Sequence, residues 1–264
     1  MFISYTAGFT IVAGVVAMDY QWLLLGFIVA LAGVVRGCIG FGFSALVVAS
    51  AALFIPPATI VPMVAILEIV ASVHMAFSTW RQAAFRPLLY LLAGTAIATP
   101  LGVYALVLLS AADIRLLLSG LIFILSLLLL SGWQYRGVVT KSSYLSMGLF
   151  AGICNGASAV GGLPVATFLA SVRLSMTQLR ATLVLFFFAA DLILILSATA
   201  HGLLQQSLVI YSVMMVLPMA LGIQLGTVLF HKLNEKTLRL AVIALLLLLS
   251  LTGLVRGLLG YLIS

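Results

Sequence analysis

Asn155-Gly156-Ala157-Ser158-Ala159-Val160-Gly161-Gly162-Leu163-Pro164 decides how this chain folds, because it interrupts an otherwise apolar segment, Tyr144–Val172, near its middle. Within a helix a glycine costs about 1 kcal/mol relative to alanine, and a proline about 3 kcal/mol. Three glycines followed by a proline therefore predict a break. Pro164 then opens a new half-helix in its first turn, where a missing N–H is harmless. A counterpart lies upstream, Arg36-Gly37-Cys38-Ile39-Gly40-Phe41-Gly42-Phe43-Ser44, inside the apolar stretch Trp22–Ile55. The break is the favoured reading of both clusters; a close helix–helix contact surface is the competing one.

The surroundings place these clusters in a membrane. Of 264 residues, 65% are hydrophobic and only 12 are basic and 5 acidic, too few charges to solvate a globular surface. A polytopic all-α membrane protein follows, with no large soluble domain. The net charge of +7 is spread in runs too short for a nucleic-acid surface and fits loop charges that set orientation. Cys38 and Cys154 have no metal or redox spacing, and no cofactor motif is present. Residues 1–17 lack a basic n-region and a cleavage site, so no cleaved signal peptide is expected.

A spanning helix needs about 20 apolar residues. Six segments qualify: Thr59–Thr79, Pro87–Leu109, Leu116–Ser131, Ala181–Ala200, Leu208–Phe230 and Leu238–Gly253. Phe2–Met18 is a shorter seventh candidate. Loop charge decides whether the glycine-broken segments also cross. If Tyr144–Val172 crosses, the loop lysines and arginines divide five against six. If it enters and leaves on one side, they divide nine against two, Arg115 and Arg256 being the minority. The second division obeys the positive-inside rule, so re-entrant hairpins are expected.

Each hairpin is then followed by three spanning helices, an odd number, which gives the two units opposite orientations. Each unit has an acid inside its first span, Glu68 and Asp191, and a proline inside its second, Pro100 and Pro218. The expected architecture is an N-terminal helix at 1–20, a first repeat at 21–135 with its hairpin at 22–55, and a second repeat at 144–263 with its hairpin at 144–172. Inverted repeats with discontinuous helices are an architecture of secondary transporters.

With these motifs in place, residues 22–263 resemble the TauE/SafE sulfite-exporter family of membrane transport proteins. The second hairpin is the nearer match, through its glycine cluster followed by Pro164. Gly40-Phe41-Gly42-Phe43 carries phenylalanines where the family often runs glycines. The resemblance implies a carrier of sulfite, organosulfonates or related sulfur oxyanions in the bacterial plasma membrane, with direction open. A non-transporting subunit of a larger complex and a carrier for another small organic anion are the alternatives.

An oxyanion in such a site needs donors and positive potential, which half-helix N-termini supply. Gly40, Gly42, Ser44, Asn155, Ser158, Gly161, Gly162 and Pro164 are the expected substrate-binding positions, although small-residue packing explains Ser44 and Ser158 equally well. Arg36 is expected deep in the membrane, where an unpaired arginine costs several kcal/mol and such residues mark pathways; snorkelling to water is its alternative. Glu68 and Asp191 divide the roles of counter-charge to Arg36 and carrier of H+ or Na+, with Glu68 expected in the first role and Asp191 in the second; a structural, hydrogen-bonded acid is the alternative for each. His74, six residues after Glu68, is off its helical face; His201 and His231 fall at helix ends. No HExxH and no glycine-framed serine with a central histidine supports an intramembrane enzyme. The expected partners are the small anion, a coupling ion and membrane lipids, with homodimer formation left open.

Overall fold

The structure is a computed structural model that describes residues 20–40, 42–132, 135, 137–172, 174–230 and 235–263. The expected helix at Phe2–Met18 lies outside the described residues, as do Phe41, Arg173 and His231 and the side chains of His74, Lys236 and Arg239. Ten α-helices run through the described residues: α1 Tyr20–Ile39, α2 Phe43–Ala51, α3 Pro57–Thr79, α4 Phe85–Leu108, α5 Ala111–Leu130, α6 Lys141–Ser158, α7 Gly162–Ala170, α8 Met176–Ala200, α9 Gln206–Phe230 and α10 Glu235–Ile263. A single 3-10 turn, Trp80–Gln82, follows α3.

Each of the six expected spans coincides with a helix to within a residue at its end, α3, α4, α5, α8, α9 and α10. Among the described residues six stretches are long and apolar enough to cross a membrane: Tyr20–Cys38, Phe85–Leu108, Ala111–Leu130, Thr177–Ala200, Gln206–Leu229 and Leu240–Leu259. The set contains α1, the first arm of the upstream broken segment. The arms are therefore unequal. α1 has 20 residues and α6 has 18, whereas α2 and α7 have 9 each. At about 1.5 Å per residue a short arm covers less than half of a bilayer core.

Local sequence sets the helix starts. Ser110 with Asp113, Thr140 with Ser143 and Ser175 with Gln178 form reciprocal capping boxes that open α5, α6 and α8. Pro57 and Pro164 sit in the first turns of α3 and α7, where proline is tolerated.

Contacts at the two ends of the bundle trace the path of the chain. Tyr144, at the start of α6, packs edge-on against Phe168 of α7, and the Tyr135 N–H donates to Ser171 Oγ at 2.9 Å. The start of α6 and the end of α7 are thus neighbours. Thr182 of α8 accepts from the Ala84 N–H at 2.9 Å, which places the start of α8 beside the start of α4. At the opposite end of α8, Trp22 of α1, Thr59 of α3, Leu203 of the connection after α8 and Tyr211 of α9 line one cavity of about 180 Å³. The starts of α1 and α3 are thus neighbours.

Glycine faces lock the long arms onto helices of the other half. α1 runs parallel to α9: Trp22 stacks on Tyr211 with centroids 3.9 Å apart, Gly33 lies against Met219–Ile223, and Gly37 against Ile223–Thr227. α6 runs parallel to α4 in the same way, Gly148 against Leu91, Gly152 against Thr95, and Gly156 against Thr99 and Gly102. A Cβ at Gly37 or Gly156 would collide with the Ile223 or Thr99 carbonyl. Both readings of the glycines therefore hold, at different positions: Gly33, Gly37, Gly148, Gly152 and Gly156 are contact surface, while the breaks lie further along. The main buried cluster gathers Leu25, Val29, Phe43, Ile60, Met63, Leu67, Leu194 and Met215 around the short arm α2 and helix α3.

Candidate functional site

The two breaks share one backbone plan. In the first, Gly40 and Gly42 have φ of 87° and 90°, with no atom near enough to touch an added Cβ, so conformation rather than space calls for glycine. The Gly40 N–H donates to the Arg36 carbonyl at 2.7 Å, and Gly42 caps α2. In the second, Ala159 takes the left-handed turn at φ 55°, and its N–H donates to the Asn155 carbonyl at 2.7 Å. Gly161 caps α7 and packs on Ala151 and Asn155, and Gly162 lies under the Phe187 ring, where a Cβ does not fit. Arg36 and Asn155 thus occupy the same position, four residues before the left-handed residue.

Arg36 is 7% exposed and does not snorkel. One terminal nitrogen, Nη1, is ion-paired with Glu68 Oε2, and the other, Nη2, donates to Ser72 Oγ at 2.9 Å. Glu68 is 5% exposed and Ser72 is fully buried. A buried guanidinium is tolerated only when paired and hydrogen-bonded, as Arg36 is here.

Asp191 is 4% exposed and faces Asn155, whose Nδ2 donates to Asp191 Oδ1 at 3.3 Å and to the Ala190 carbonyl at 3.2 Å. Its hydrogen-bond partner is neutral, and α3 packs on α8. Arg36, Glu68 and Asp191 are the charged residues buried among the described residues, and Asn155 is buried with Asp191.

The remaining expected positions divide. Ser158 is buried, donates to the Cys154 carbonyl and accepts from the Val160 N–H at 3.3 Å, so its hydroxyl shapes the second break. Ser44 is half-buried in the first turn of α2, and Pro164 is buried in that of α7. His201 caps the end of α8, with Nδ1 2.8 Å from the Ser197 carbonyl. Sequence reasoning missed Ser72, whose signal was its position one turn after Glu68 on the same helix face. It also missed Thr95, which donates to the Gly148 carbonyl at 3.1 Å and pins α4 to α6.

The family model described as "Sulfite exporter TauE/SafE" matches residues 25–253. The chain belongs to the TauE/SafE sulfite exporter family. No curated protein and no solved structure matches it. Membership of this transporter family, with six helices long enough to span, makes the chain a multi-pass membrane protein and agrees with a non-enzymatic role.

Proposed function

We propose that this TauE/SafE protein is a secondary transporter that moves sulfur-containing oxyanions, sulfite or organosulfonates, across the bacterial plasma membrane by alternating access. The observation that carries the reading is a guanidinium buried beside a helix break. Arg36 offers the planar fork that matches sulfonate oxygens, and the N-termini of α2 and α7 add backbone donors. Gly40, Gly42, Ser44, Asn155, Gly161 and Gly162 surround the anion in this reading. Glu68 balances Arg36, and Asp191, which lacks a directly paired cation, carries the coupling H+ or Na+.

The two halves act as inverted repeats in this proposal, each a re-entrant pair of arms followed by three spanning helices. Support comes from the exchange of partners: α1 with α9 and α6 with α4 trade places when the halves are interchanged. Further support comes from the contacts that bring the start of each broken segment close to the residues at or just after its end. Single cysteines at Ser142, Thr177 and Gln205, in a background lacking Cys38 and Cys154, are expected to react with an impermeant maleimide from one side at 142 and 177, and from the other at 205. Labelling of 142 and 177 from opposite sides overturns the hairpin.

The decisive experiment is flux of labelled sulfite and toluenesulfonate into liposomes that hold the purified protein alone. Flux that rises with an H+ or Na+ gradient supports the proposal. Absence of flux for every sulfur oxyanion tested, with correctly folded protein, sinks it.

A further inference from the structure

Building on the anion-transport reading above, we propose that Glu68 is a stand-in for the substrate. The incoming oxyanion takes Arg36 from the Glu68 carboxylate, and Glu68 binds a proton as it lets go. Arg36 is the one basic side chain buried among the described residues, and both of its terminal nitrogens are engaged, Nη1 by Glu68 and Nη2 by Ser72. A two-pronged contact with a sulfonate uses the same nitrogens. The anion and the Glu68 carboxylate therefore compete for one fork.

Charge decides what becomes of Glu68. The Arg36–Glu68 ion pair is neutral as a whole. An anion that merely pushed Glu68 aside would leave an unpaired carboxylate in a low-dielectric interior, a cost of several kcal/mol. A buried carboxylate left without its cation neutralises instead. One proton from the solution on the entry side goes to the Glu68 carboxylate, the O–H bond being the one bond formed, and the charge around Arg36 is unchanged by binding. The proton travels with the anion.

The titratable groups on the helices packed around Glu68 are Tyr20, Arg36 and Cys38 on α1, His74 on α3, Tyr90 and Tyr104 on α4, Tyr144 and Cys154 on α6, Asp191 on α8 and Tyr211 on α9, while Arg81, Arg86, Asp113, Arg115, Lys141 and Arg180 sit in the first two turns of helices or in connections. Cys38 donates to the Gly226 carbonyl at 3.0 Å.

The test uses detergent-solubilised full-length protein and toluenesulfonate, a strong-acid anion that does not itself titrate near neutrality as sulfite does. In weak buffer with a pH indicator, wild type is expected to take up a proton with each anion that binds at Glu68. Where Glu68 accounts for the linkage, affinity rises by up to about tenfold per unit fall in pH. Glu68→Gln is expected to bind without that proton and to lose its share of the slope, whereas Asp191→Asn and His74→Gln keep it. Binding by wild type with no proton uptake overturns the proposal, and so does unchanged uptake in Glu68→Gln. Should Glu68→Gln fail to fold, the wild-type and Asp191→Asn measurements decide: uptake that vanishes in Asp191→Asn assigns the proton to Asp191 and overturns the exchange. Wild type that binds neither toluenesulfonate nor sulfite at any pH defeats the transport reading itself, which keeps the two failures distinct.

Discussion

The two breaks use the same backbone and different charges. Arg36 and Asn155 each accept, through their carbonyls, the N–H of the left-handed residue four positions on. Each sends its side chain to the acid of the following long helix, Arg36 to Glu68 and Asn155 to Asp191. The first pair is an ion pair with a serine in support; the second is an amide facing a carboxylate. The comparison teaches that helix geometry can build two equivalent seats that a single side chain at each makes chemically different. The first seat holds a guanidinium paired with Glu68, and the second holds a carboxylate with no directly paired cation among the described residues. Under the transport proposal, one seat serves the anion and the other the coupling ion.

The largest effect is expected where that difference is erased. Arg36→Ala leaves Glu68 buried without its partner, which costs about 3–5 kcal/mol of stability, and removes a charge-assisted contact to the anion. Loss of that contact is worth about 1.5–3 kcal/mol, or roughly ten- to a hundred-fold in affinity. Arg256, exposed and bonded to the Leu53 carbonyl at 3.4 Å, is the control, since Arg256→Ala removes only a surface contact. The double change Arg36→Asn with Glu68→Asp gives the first seat the chemistry of the second. It is expected to recover most of the stability and none of the affinity, as read by thermal shift with and without toluenesulfonate. Recovery of both moves the anion away from Arg36.

A smaller effect is expected at the second seat. Asp191→Asn keeps the shape and removes the charge, so exchange of labelled substrate between the two sides of a liposome should persist. Accumulation driven by an H+ or Na+ gradient should fall by about an order of magnitude, the loss of one coupled ion at a roughly tenfold gradient. Accumulation equal to wild type makes Asp191 a structural acid and leaves the two seats alike in role.

The sequence made the breaks legible because glycine and proline act locally: Pro164 is expected in the first turn of a new half-helix, and that helix begins at Gly162. The Arg36–Glu68 pair was legible for an energetic reason, since a buried guanidinium must find a carboxylate and few are present. The partners of the glycine faces were not. A stripe such as Gly148, Gly152 and Gly156 announces a close helix contact without naming the helix across it, and that helix, α4, lies in the other half of the chain. The unequal arms were hidden for the same reason. Gly37 reads as part of the break, but contact with α9 keeps it helical and moves the break to Gly40. Gly156→Ala tests this division of labour. Its Cβ meets the Thr99 carbonyl and the Gly102 backbone, which cannot swing aside as a side chain can, so overpacking should cost about 1–3 kcal/mol in thermal or denaturant unfolding. No loss would mean that α4 and α6 can separate freely.

The smallest effect is expected at the left-handed positions, where the two breaks differ most subtly. Gly40 holds φ 87° without strain, but Ala159 holds φ 55° with a Cβ, a conformation that costs an L-residue about 1–2 kcal/mol. Ala159→Gly removes that strain and in exchange frees the unfolded chain, which takes back about 0.4–1 kcal/mol. The net should be a gain of less than about 1.5 kcal/mol. Gly40→Ala should do the reverse: its Cβ meets nothing, so the loss there is conformational alone. The pair of variants separates strain from packing, because Ala159 is also 4% exposed and its methyl is enclosed. If Ala159→Gly lowers the melting point instead of raising it, the enclosed methyl contributes more than the backbone loses. The second break would then be held in shape by its neighbours, where the first is held by glycine.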